Sequence, residues 1–109
     1  MIIVGENINA SIPAISSVIQ RRDTEALLDL AHKQADAGVD YIDVNVGSEV
    51  GSREEELAAI QWALKSIQEH VDTPLALDSA DPLVLETGLQ MREGRPSLIN
   101  STKGEDKSL

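Results

Sequence analysis

Gly38-Val39-Asp40-Tyr41-Ile42-Asp43-Val44-Asn45-Val46-Gly47 is the stretch on which the fold turns. Its core reads as a β-strand over residues 39–46. Alternation along a strand puts Asp43 and Asn45 on one face and Val44 and Val46 on the other. Upstream, Leu27, Leu30, Ala31 and Ala35 follow helical spacing behind Asp23, which can cap them, and Gly38 stands where a left-handed terminating residue belongs. Downstream, Ser52-Arg53-Glu54-Glu55 has the form of a capping box, and Leu57, Ile60, Leu64 and Ile67 make one apolar stripe running to about His70. The strand therefore lies between two helices.

The same alternation continues outward. Ile2-Ile3-Val4 is a β-branched run without polar alternation, as expected of a strand buried on both faces, and it runs on to Asn9; a loop containing Pro13 follows. Pro74 opens a third strand, Leu75–Asp78. Asp81-Pro82 then caps a short helix with Leu85 and Leu89 on its apolar side, and Gly94 and Pro96 end it before a fourth strand at 97–100. The order is β-α-β-α-β-α-β. Right-handed crossovers make such a sheet parallel, with the helices outside. The expected fold class is α/β, built of parallel β/α units as the N-terminal half of a TIM barrel. A complete barrel takes about 250 residues. The other reading is a complete four-stranded open α/β sheet. The domain is expected to span 1–109, with 101–109 as a polar tail where a fourth helix would begin.

All four asparagines, Asn7, Asn9, Asn45 and Asn100, fall at the ends of strands, together with Asp43 and Asp78. In parallel α/β folds that rim is where ligands bind. Asn7 and Asn9 are expected to share a face, with Glu6 opposite, supporting the site from behind or pairing at the surface. A carboxylate accepts two hydrogen bonds side by side, while an amide both donates and accepts, so the set complements a flat heterocycle such as a 2-amino-4-oxo-pyrimidine. Asn and Asp also favour turns and caps, which is the bland explanation for each one alone.

Composition excludes other classes. With 9 basic and 19 acidic residues the formal charge is −10, which repels nucleic acid and anionic membrane surfaces. Two aromatic residues, Tyr41 and Trp62, cannot form a stacking platform for single strands. Without cysteine there is neither a disulfide framework nor a thiolate metal site, and no metal is expected on the chain. The start is too short for a signal peptide, and the expected location is cytoplasmic. His32 and His70 read as surface residues, 54–56 as a solvated helix start, and 47–51 as a loop without phosphate-binding spacing. Trp62 lies off the apolar stripe of its helix, either packed on a neighbour or exposed.

Gly5-Glu6-Asn7-Ile8-Asn9, Asp43-Val44-Asn45-Val46-Gly47, Leu77-Asp78-Ser79 and Ile99-Asn100-Ser101-Thr102 resemble the first four strand-end motifs of the pterin-binding methyltransferases. That family moves the methyl group of methyltetrahydrofolate to the cobalt of a corrinoid protein, on a TIM barrel shared with dihydropteroate synthase. The resemblance implies that Asp78 and Asn100 hydrogen-bond the pterin, that Asn7, Asn9, Asp43 and Asn45 line the same rim, and that Glu6, Ser79 and Gly47 support it. Asn7 departs from the pattern, since relatives often carry a basic residue there. The resemblance also implies that methyltetrahydrofolate is the substrate and that a separate corrinoid protein brings the cobalamin. A second aspartate and the asparagine near the reacting nitrogen would come from strands beyond the fourth, so the chain is expected to be inactive alone. Two further readings stay open. One is a non-catalytic half-barrel that self-associates or is completed by a partner chain; the other is a fragment of a dihydropteroate synthase-like enzyme.

Overall fold

A computed structural model describes residues 2–47, 52–91 and 97–100, the last four as backbone. Strands β1 (Val4–Asn9), β2 (Tyr41–Asn45), β3 (Leu75–Asp78) and β4 (Ser97–Asn100) form one parallel sheet in the order β1-β2-β3-β4. Each strand lies beside the next in sequence, so right-handed crossovers carry every connecting helix to the same side. The order never reverses, which distinguishes this sheet from a doubly wound one with a switch point. Ile8, Ile42, Val44, Leu75 and Leu77 form the sheet side of the core, and Leu27, Ala31, Ile60, Ala63, Leu64, Ile67 and Val84 form the helical side.

The connections are α1 (Pro13–Gln20), α2 (Thr24–Asp36), α3 (Arg53–Gln68) and α4 (Pro82–Gln90). Local chemistry sets their ends. Asp23 accepts from the amide of Ala26 at 3.1 Å, and Asp81 from that of Leu83 at 3.0 Å. Ser52 and Glu55 close a reciprocal capping box, with Oγ accepting at 3.1 Å and the Glu55 carboxylate accepting from the Ser52 amide at 2.9 Å. Gly38, after α2, has φ +81°, the left-handed geometry expected there.

Three expectations need correction. Ile2 and Ile3 are exposed, at 63% and 51%, and the strand begins at Val4, because the segment before it has no second neighbour among the described residues to cover it. The loop containing Pro13 is helix α1: proline stands at its start, where a missing N–H costs nothing, and Val18 and Ile19 are buried. Strand β2 is shorter than 39–46, with Val39, Asp40 and Val46 outside it. On α4 the buried residues are Val84 and Gly88, with Leu85 and Leu89 half-buried against the core. Gly94, Pro96, residues 48–51 and the tail at 101–109 lie outside the described residues.

Candidate functional site

The sheet face turned away from the helices carries the chemistry. On β2, Ile42 and Val44 point to the core, so Asp43 and Asn45 point the other way, and Asp43 stands in register with Ala76. On β3, Leu75 and Leu77 take the core side, leaving Ala76 and Asp78 beside Asp43. Asp78 is in register with Asn100 of β4. The side chain of Asn100 lies outside what is described.

Strand β1 does not alternate as expected. Gly5 pairs with Ile42 and Ile8 with Val44, so Glu6 and Asn7 together oppose Asp43 alone, which is a β-bulge. The extra residue changes the face assignment. Asn7 turns to the helix side, where Nδ2 donates to the carbonyl of Leu30 in α2 at 3.4 Å and Oδ1 is buried without a partner. Glu6 takes the face turned away from the helices, close enough to raise the pKa of both Asp43 and Asp78. Asn7 therefore does not share a face with Asn9, and Glu6 stands within the site, not behind it.

Asp43 and Asp78 stand side by side on the face away from the helices and act on each other's titration. Burial, the neighbouring Asp78 and Glu6 push the Asp43 carboxyl up to about 7. Burial also raises Asp78, and the hydrogen bond from Asp43 opposes that rise. Both carboxyls are raised and each acts on the other, so the two titrate as a pair. Oδ1 of each is buried without a hydrogen-bond partner, and Asp43 is only 3% exposed. Arg21 pairs with Asp23, Lys33 with Asp29 and Arg53 with Asp81, all away from these two carboxyls. A buried acceptor without a donor costs about 1–3 kcal/mol, so these oxygens favour a partner with N–H groups.

The flanking amides are partly engaged. Asn9 Oδ1 accepts from the amide and the hydroxyl of Ser11 at 2.9 and 2.8 Å, and Asn45 Oδ1 accepts from the amide of Gly47 at 3.3 Å. Both are turn-forming uses, and they leave the Nδ2 donors for other partners. Asn9 and Asn45 pair in register at the strand ends.

One polar side chain near the rim was hidden in the sequence. Glu56, part of the acidic run expected to be solvated, accepts from the buried Ser79 hydroxyl at 2.7 Å. Gly47 packs against the same carboxylate, since a Cβ there would lie 2.6 Å from Oε2. Trp62 is half-buried against the core, and its Nε1 donates to Thr24 Oγ1 at 3.0 Å with Arg22 stacked 5.5 Å from the ring centre. His32 and His70 are exposed, and His70 Nδ1 lies 3.0 Å from the carbonyl of Ser66. No metal-binding group of three or more His, Asp or Glu occurs among the described residues, and none of their helices is long and apolar enough to cross a membrane.

The family model described as pterin binding enzyme matches residues 5–109. A methylcorrinoid:tetrahydrofolate methyltransferase of Eubacterium limosum is 38% identical over 109 residues, which is all of this chain and 39% of that protein. The chain thus spans about two-fifths of the length of the relative it matches. With its parallel β/α units and a carboxylate and amide rim at the strand ends, the chain belongs to the pterin binding enzyme family.

Proposed function

We propose that the chain forms the N-terminal portion of the pterin site in a methyltransferase working between a tetrahydrofolate and a corrinoid carried by another protein, within a TIM barrel. The observation that carries this reading is the pair Asp43 and Asp78, whose buried oxygens lack donors at the rim of a parallel sheet. An ionised Asp78 can accept two parallel N–H bonds, such as the 2-amino and ring N–H groups of a pterin, with the raised carboxyl of Asp43 beside it. Asn9 and Asn45 present amide donors along the same rim, and Asn100 stands beside Asp78 in register. Asn7, turned to α2, drops out of the proposed contacts.

The relative's name makes the methylcorrinoid the donor and tetrahydrofolate the acceptor, the reverse of the sense expected from sequence. One pterin site serves either sense, because the same ring and nitrogen are held before and after transfer. The corrinoid, as the other substrate, supplies or takes the methyl group. This chain's residues bind and orient the ring. The charge change at the reacting nitrogen as its carbon bond breaks or forms calls for a further proton-handling group.

Calorimetric titration of the chain with tetrahydrofolate and methyltetrahydrofolate tests the reading. Binding is expected, and Asp78→Ala should weaken it by about tenfold or more, the worth of a charge-assisted hydrogen bond. A folded sample that gives no heat at millimolar ligand overturns the site.

A further inference from the structure

The first turn of α3 grips the turn between β3 and α4 at two points. Glu56 accepts from Ser79 Oγ at 2.7 Å, and Ser79 Oγ accepts in turn from the amide of Asp81 at 3.0 Å. Arg53 donates to both oxygens of Asp81, at 2.7 and 3.1 Å. Arg53 is largely exposed, so its ion pair contributes little. The Ser79 contact is different. Ser79 is 3% exposed and directly follows Asp78, and the Glu56 carboxylate that holds it also fills the space beside Gly47, at the exit of β2. One side chain therefore reaches the backbone just beyond Asp43-Val44-Asn45 and just beyond Asp78.

We propose that Glu56 is a positioning residue which, through Ser79, fixes the end of β3 and so sets the Asp78 carboxylate against Asp43 and the ligand edge; the ligand part rests on the pterin reading above. A carboxylate at this junction does what a solvated one cannot. It ties the two strand ends that carry the acid pair to one rigid helix, and a binding constellation held by such a support keeps its geometry.

The test reads the Asp43 carboxyl by carbon-13 NMR titration without ligand, in wild type, Glu56→Ala, Glu56→Gln and Ser79→Ala. Asp78 and Glu6 are the acidic groups that raise Asp43. If Asp78 is released, the Asp43 midpoint should fall by about half a pH unit or more in Ser79→Ala and Glu56→Ala, as the neighbouring charge and hydrogen bond weaken. Glu56→Gln keeps an acceptor for Ser79 and should titrate as wild type. A pure charge effect would instead shift both Glu56 variants equally and leave Ser79→Ala unchanged; that pattern, or no shift in any variant, overturns the proposal. Ser79→Ala removes a single oxygen and carries the measurement if Glu56→Ala does not fold. Tetrahydrofolate affinity should follow the same order, about tenfold weaker in Ser79→Ala and near wild type in Glu56→Gln. If the titration pattern appears while wild type takes up no tetrahydrofolate, the positioning role stands and the pterin reading falls.

Discussion

Asp43 concentrates the tension between folding and function at one residue. Its side chain lies on the inner sheet face, 3% exposed, beside a second carboxylate and near a third. Burial, first among the causes, moves its pKa from 3.8 to about 7, so the folded chain holds a proton that the unfolded chain has released. Stability from this group is complete below about pH 4 and is lost as pH rises through 7. Asp81, held below the usual carboxylate range by Arg53, works in the opposite sense at acid pH. Comparing wild type with Asp43→Asn isolates the first effect. In urea unfolding the variant should gain about 1–3 kcal/mol on wild type at pH 8 relative to its difference at pH 4. A difference independent of pH would remove the acid pair as described. Alternation along β2 and β3 is undisturbed, so the faces of Asp43 and Asp78 can be read from their places in the sequence. The same reading misplaced Glu6 and Asn7, because a bulge is defined by what the neighbouring strand offers and leaves no signature in Gly5-Glu6-Asn7-Ile8 itself.

Among the elements, the helix starts were the most legible. Asp23, Ser52 with Glu55, and Asp81 before Pro82 each act within three residues, so a capping pattern in sequence and a capping bond in space are nearly the same information. The box at α3 has the further task of orienting a helix whose first turn reaches across to β3. Ser52→Ala should cost about 1 kcal/mol in chemical denaturation, and Ser52→Gly only a few tenths. Equal losses for both would mean that the cap does not carry the effect. Helix α1 escaped notice because eight residues beginning at a proline and containing two serines look like a loop; the contacts of Val18 and Ile19 with the core, not local preference, hold it helical. The part of Glu56 was equally hidden, since three consecutive glutamates at a helix start look solvated and only the third meets a buried hydroxyl.

At the scale of the whole molecule, each outer strand has one neighbour among the described strands. β1 is bonded to β2 alone among the described strands, and before it Ile2 and Ile3 stand exposed. An uncovered edge with apolar flanks invites pairing with other chains. Ile3→Lys should reduce concentration-dependent association, measured by sedimentation, while changing unfolding stability by less than about 0.5 kcal/mol, as for other exposed positions. If association is unchanged, contact is made elsewhere. Two copies closing face to face would place two sets of Glu6, Asp43 and Asp78 in one interior, which the like charges oppose; edge contact has no such cost.

The bulge in β1 also bears on how relatives are to be compared. Because Glu6 and Asn7 share the place opposite Asp43, a strand one residue shorter between the glycine and the isoleucine would set a single residue opposite Asp43 and turn it to the same face as Asp43. Alignment by ungapped spacing would then equate Asn7 with a residue of the wrong face. At this strand, equivalence between relatives belongs to the direction a side chain takes and not to its count along the chain.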